Sequence, residues 1–184
     1  LKSDVLVAKE TPQPLPTLDL DKTPQFWFAP FPETTEGAGD YQEIFDVSAK
    51  WARAVDRVDV FKFYGGYLLD GRVGQQGVNR MVDFLNREGI AVAVELAPMT
   101  PTAECGADTQ GYEGWQSGQH IARLIRDAGG EIHYLALDGP MWWGSLYDGV
   151  RPEEAPCHFT LEETAENVRQ TVENFRAIFP DMIV

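Results

Sequence analysis

Short strand-like runs alternate with helical patterns along this chain, and that alternation restricts its fold more than any other feature. The runs are 25–30 (QFWFAP), 58–64 (VDVFKFY), 90–98 (IAVAVELAP), 132–138 (IHYLALD) and a closing stretch at 181–184 (DMIV). They are rich in the β-branched and aromatic residues that suit a pleated, buried surface. The first helical pattern opens at Asp40, with Glu43 at capping-box spacing and Ile44, Phe45, Ala49, Trp51, Ala52 and Val55 on one side. The second covers about 76–88, with Val78, Met81, Val82 and Leu85 inward and Gly89 where a helix-ending glycine belongs. The third runs over 115–127 and stops at Gly129 and Gly130. The fourth starts with Thr160 and Glu163 as a second capping box. It buries Leu161, Ala165, Val168, Val172 and Phe175, and ends at Pro180. Strands that always return through a helix imply a parallel sheet with right-handed crossovers, an α/β protein.

Loops after the strands are long, whereas those after the helices are tight. That asymmetry is expected of a parallel (β/α) barrel of the TIM type, with function on one rim and stability on the other. A doubly wound open sheet is the competitor, but no G-x-G-x-x-G follows any strand. A closed barrel needs eight strands and typically about 250 residues. The 184 residues here supply the first four and a half β/α units. The expectation is therefore the first half of a longer barrel; the alternative is a half-barrel completed by a second copy. The barrel domain spans 25–184. Residues 1–24 hold four of the twelve prolines and read as a linker or extended arm.

Fifteen basic residues against twenty-nine acidic ones leave a net charge of -14. Nucleic acid and anionic membrane surfaces both demand a basic patch, so neither is expected as a partner. No apolar run approaches the roughly 20 residues of a membrane span. The opening LKSDVLVAKE is no signal peptide, which suggests a mature or trimmed product. Cys105 and Cys157 fall in loops on one rim, either as a disulfide or as two free thiols; the expected location is secreted or periplasmic. His120, His133 and His158 show no ligand spacing, and no HExxH, Cys-pair or GxSxG motif occurs. No metal or cofactor is expected.

Side chains alternate faces along a strand. Val58, Val60, Lys62 and Tyr64 therefore share one face of the second run; Ala91, Ala93, Glu95 and Ala97 share one in the third; Ile132, Tyr134, Ala136 and Asp138 share one in the fourth. The opposite sets, Phe61/Phe63, Val92/Val94/Leu96 and Leu135/Leu137, suit packing under helices. The first sets would line a barrel interior, and each carries one charge near its carboxyl end: Lys62, Glu95 and Asp138. A charge there is costly unless paired or used. Lys62 and Glu95 read either as a rim-supporting ion pair or as substrate-binding groups. Asp138 reads as catalytic or substrate-facing, with loop capping as its alternative. Tyr64, Tyr67, Trp142, Trp143 and Tyr147 gather on the same rim, where flat aromatic faces suit the C–H faces of sugars. Trp51 reads as core and Trp115 as an anchor of the third helix, while Trp27 fits either role.

The segments FWFAPFP, VFKFYGG, AVELAP and ALDGPMWWG, in that order, resemble the first half of TIM-barrel glycoside hydrolases over about residues 25–184. In the large retaining group of those enzymes, a glutamate closing the fourth strand, commonly in Asn-Glu-Pro, is the acid/base, and a glutamate on the seventh strand is the nucleophile. Here the fourth strand closes on Asp138-Gly139-Pro140. The resemblance implies a hydrolase acting on an oligo- or polysaccharide. Its catalytic candidates are Asp138 and, assisting it, Glu95, acting as general acid or as a hydroxyl-binding carboxylate. No seventh strand lies within these residues, so no nucleophile is named; Lys62, Tyr64, Tyr67, Trp142, Trp143 and Tyr147 are the substrate-binding candidates. The resemblance also implies the remaining half of the barrel, from the same chain or a second copy. The alternatives are a non-catalytic carbohydrate-binding barrel and a Lys62-based lyase or aldolase. Against the latter, Glu95 would keep Lys62 charged.

Overall fold

The structure, a computed structural model, describes residues 16–32, 39–46, 51–69, 71 and 73–184. Four parallel strands, β1 (Trp27–Phe28), β2 (Val60–Tyr64), β3 (Ala91–Leu96) and β4 (Tyr134–Leu137), lie side by side in sequence order. The helices are α1 (Gly39–Glu43), α2 (Ala52–Val55), α3 (Gly65–Leu69), α4 (Gly74–Glu88), α5 (Gly114–Asp127) and α6 (Leu161–Arg176), with a π-helical turn at Trp142–Leu146. Ile183 adds a parallel bridge to Tyr134; its N–H donates to the His133 carbonyl at 2.9 Å, and its own carbonyl accepts from Leu135 N–H at 2.8 Å. The closing DMIV stretch thus lies against β4.

One face of the sheet carries the main core. Phe61, Phe63, Val92, Val94, Leu96 and Leu135 meet Val78, Met81, Val82 and Leu85 of α4, Ile121 and Ile125 of α5, and Phe175 of α6. These are the strand residues whose parity put them under helices. The opposite face holds Val60, Ala91, Ala93 and Tyr134, against which Leu18 and Leu20 pack. Residues 16–24, part of the expected arm, form no regular element, yet they cover the amino end of this face; Gln25 Nε2 ties them down by donating to the Leu20 carbonyl (2.9 Å) and Tyr134 Oη (2.7 Å). Among the described residues, the helices of the core pack on one face of the sheet.

Several expectations shift. The single helix from Asp40 to Val55 is two short ones, α1 and α2, and Asp40 lies inside α1 rather than capping it; Ala49 falls outside the described residues. The glycine-rich stretch after β2, expected as loop, folds as α3. Gly65 permits this because a Cβ there would come within 2.9 Å of the Glu95 carbonyl oxygen. In α6 the capping box forms, with Glu163 N–H donating to Thr160 Oγ1 (3.2 Å) and Thr160 N–H to Glu163 Oε2 (2.8 Å). Its buried stripe differs: Leu161 and Ala165 are exposed, and Thr164 and Thr171 are buried with Phe175. Both threonines enter the core because their hydroxyls are satisfied, Thr171 by the Pro98 carbonyl (3.3 Å) and Thr164 by Ser145 Oγ (3.1 Å). Among the described residues, no helix is long and apolar enough to cross a membrane.

Candidate functional site

The carboxyl ends of β2, β3 and β4 open onto a cavity of about 320 Å³. Strand register builds its floor. Tyr64 lies opposite Glu95, and Glu95 opposite Ala136, so the last inward residues form one row. Asp138 follows β4 directly, its N–H donating to the Leu96 carbonyl at 3.1 Å. Phe31, from the segment after β1, sets its ring edge against Tyr64 at 5.1 Å. Tyr67 of α3 completes the aromatic side, its ring 4.7 Å from that of Tyr41 and its hydroxyl hydrogen-bonded to Gln42. The loop before α5 contributes Gln110, Gly111 and Glu113.

Lys62 and Glu95 form an ion pair, Nζ donating to Oε2, with side chains only 16% and 24% exposed. The ammonium also sits 4.7 Å from the Tyr64 ring centroid. Lys62 is not among the residues that line the cavity, whereas both of its partners, Glu95 and Tyr64, are. An ion pair so poorly hydrated must be well matched to be tolerated, and here the partner and the ring face together engage the cation.

Glu113 is the acid that sequence reasoning missed, as Phe31 is the aromatic. The acid stands at the N-terminal boundary of α5 but makes no capping bond to that helix. Instead its Oε2 accepts the Ala97 N–H at 3.0 Å, and the side chain lines the cavity. Burial pushes its carboxyl above the usual range; the Ala97 hydrogen bond opposes the rise, and the charges of Asp138 and Glu95 add to it. Loops have no side-chain period, so parity could not reveal this direction. The faint signal available was an acid just ahead of a helical pattern, and that would have suggested a cap.

Asp138 is exposed, and its Oδ2 accepts the Trp143 indole N–H at 2.9 Å. Trp143 packs so closely over Gly111 that a Cβ there would fall 2.3 Å from the indole ring. Gly111 also has φ +88°, a left-handed conformation that glycine takes without strain. Tyr147 is not brought into the cavity. It is 5% exposed, buttresses Trp143 edge-on at 4.9 Å, and donates its hydroxyl to Glu154 at 2.6 Å. That hydroxyl and the Val150 N–H hold the Glu154 carboxyl well below the usual carboxylate range. Trp142, 52% exposed, stands outside the cavity lining.

Two loops hold these groups in place. A disulfide joins Cys105, in the loop after β3, to Cys157, in the loop after β4. Around it, Gly106 N–H donates to the Ala155 carbonyl (2.7 Å), Ala155 N–H to Thr109 Oγ1 (3.1 Å) and Cys157 N–H to Tyr112 Oη (2.9 Å). Among the described residues, no three His, Cys, Asp or Glu side chains converge as a metal site requires. Glu95, Glu113 and Asp138 thus border one space without closing on one point. Of the residues singled out from sequence, Tyr64, Tyr67, Glu95 and Asp138 line the cavity, and Lys62, Trp142, Trp143 and Tyr147 do not. No protein-family model matches the chain, and comparison with curated proteins finds no match.

Proposed function

We propose that this protein is a carbohydrate-directed hydrolase that cleaves glycosidic bonds of an oligo- or polysaccharide at the carboxyl end of its parallel sheet. One observation carries the reading: carboxyl groups from three separate elements, Glu95, Glu113 and Asp138, border a single cavity beside the aromatic rings of Phe31, Tyr64 and Tyr67. Glycoside hydrolysis needs a carboxylic acid to protonate the leaving oxygen and a carboxylate to assist attack at the anomeric carbon. Aromatic faces supply the apolar platform for the sugar ring, and the remaining carboxylate oxygens accept its hydroxyls. Lys62, paired with Glu95 and outside the cavity lining, lends no support to a Schiff-base lyase.

The sheet is read as part of a TIM-type (β/α) barrel, completed by further strands of the same chain or of a second copy. Sequential parallel order and a core that engages helices on one face both support it. The Cys105–Cys157 disulfide supports an oxidising compartment, secreted or periplasmic.

The test is release of reducing ends from a panel of neutral oligo- and polysaccharides. Asp138→Asn is expected to abolish turnover with an unchanged unfolding midpoint. Carbohydrate binding without cleavage would make the protein a binding barrel instead, and undiminished cleavage by the variant would remove Asp138 from the chemistry.

A further inference from the structure

We infer that Glu113 is the proton donor of this site, its Oε2 fixed by the Ala97 N–H and its Oε1 left to face the cavity beside Gly66. The assignment rests on the hydrolase reading above and names the group that does its acid chemistry.

Three carboxyl groups compete for that role, and their partners separate them. Glu95 commits Oε2 to the Lys62 ammonium. Asp138 is exposed and commits Oδ2 to the Trp143 indole. Among the described residues, Glu113 alone of the three accepts only a neutral backbone N–H, on one oxygen. The free amides and dipole at the head of a helix favour a carboxylate nearby, so a capping bond was open to Glu113. Glu113 forgoes that bond and turns into the cavity. A protonated carboxyl can still accept the Ala97 N–H at Oε2 while carrying its proton on Oε1. That second oxygen has room because Gly66 has no side chain; a Cβ there would lie 3.2 Å from Oε1.

The groups facing Glu113 favour the protonated form. Glu95 at the end of β3 and Asp138 after β4 both raise its proton affinity in addition to burial. Lys62 of β2 is engaged by Glu95, and Tyr64 and Tyr67 line the same cavity. The α5 dipole opposes the rise, but without a capping bond it acts at longer range.

In the step itself the bond between the anomeric carbon and the glycosidic oxygen breaks. Its electron pair stays on that oxygen, which takes the proton from Glu113 Oε1 and leaves as an alcohol. Water adds to the anomeric carbon and loses a proton to a carboxylate of the site; the proton returns to Glu113 through solvent. One glycoside and one water become two hydroxyl compounds.

The experiment compares two glycosides of the sugar the protein cleaves, one with an alkyl and one with a dinitrophenyl leaving group. The dinitrophenolate leaves without protonation. Glu113→Gln is expected to slow the alkyl glycoside about a hundred- to ten-thousand-fold while keeping the dinitrophenyl rate near that of the wild type. The alkaline limb of the kcat/KM profile should also disappear. Glu113→Asp, which keeps an acid on a shorter stem, should recover part of the alkyl rate and the alkaline limb, and unfolding midpoints no lower than that of the wild type exclude misfolding. Equal losses on both substrates, or an alkaline limb that survives in Glu113→Gln, would overturn the assignment alone. A wild type that cleaves neither glycoside, nor any polysaccharide in the panel, would overturn the hydrolase reading and the assignment with it.

Discussion

Removing the disulfide gives the sharpest test of how the rim is held. In Cys105→Ser/Cys157→Ser the cross-link disappears, and the serine introduced at the first position can keep a hydroxyl near Thr102, whose Oγ1 lies 3.2 Å from Cys105 Sγ. The two cysteines are 52 residues apart in sequence. Closing a loop of that length lowers the entropy of the unfolded chain enough to stabilise the fold by about 4 kcal/mol at 25 °C. The hydrogen bonds among Gly106, Ala155, Thr109 and Tyr112 oppose local fraying in the folded state. The effect should therefore appear as a lower global unfolding free energy rather than as a loosened rim. With an m-value of roughly 2 kcal/mol/M, the urea midpoint should fall by about 2 M. Urea titrations followed by circular dichroism, on the variant and on the wild type with and without reductant, measure this directly. A midpoint that moves by less than about 0.3 M, equivalent to roughly 0.6 kcal/mol on the same slope, would refute the argument. It would mean that the unfolded chain is already restrained near these cysteines.

Gly111→Ala should destabilise the fold by about 2–4 kcal/mol, from left-handed strain and overpacking together. Its Cβ displaces Trp143 and so breaks the Asp138 hydrogen bond; an unaltered tryptophan emission spectrum would sink this account. Because the folded Glu113 has its carboxyl raised, it holds its proton over a pH window where the unfolded chain has released it. Stability contributed by that proton is complete at acid pH and falls as pH rises from the ordinary glutamate range through the folded value. Glu113→Gln, whose amide oxygen can still accept from Ala97 N–H, should therefore match the wild type at a pH of about 3.5, below the ordinary glutamate value, and exceed it at neutral pH. Urea midpoints at the two pH values check the sign, and a neutral-pH loss would reverse it.

Local rules carried much of this chain. Period-two alternation put Phe61, Phe63, Val92, Val94, Leu96 and Leu135 under the helices and left Glu95 and Asp138 facing the cavity. It could do so because a strand side chain's face depends only on its neighbours along the strand. Thr160 with Glu163, and Gly89 in its left-handed cap, were legible for the same reason: each acts within one turn of backbone. What the sequence left open depends on contacts that no regular repeat governs. Tyr147 is buried because Glu154 accepts its hydroxyl and Trp143 packs against its ring. Leu18 and Leu20 pack inward because the sheet presents Val60, Ala91, Ala93 and Tyr134 to them. Thr164 and Thr171 are buried because Ser145 and Pro98 meet their hydroxyls. Glu113 enters the site only once the loop after β3 folds back over Ala97. Composition and periodicity therefore determined the strand–helix order and the faces of the strands, whereas tertiary contact alone decided which loop side chains share the cavity, because no local repeat governs where a loop points.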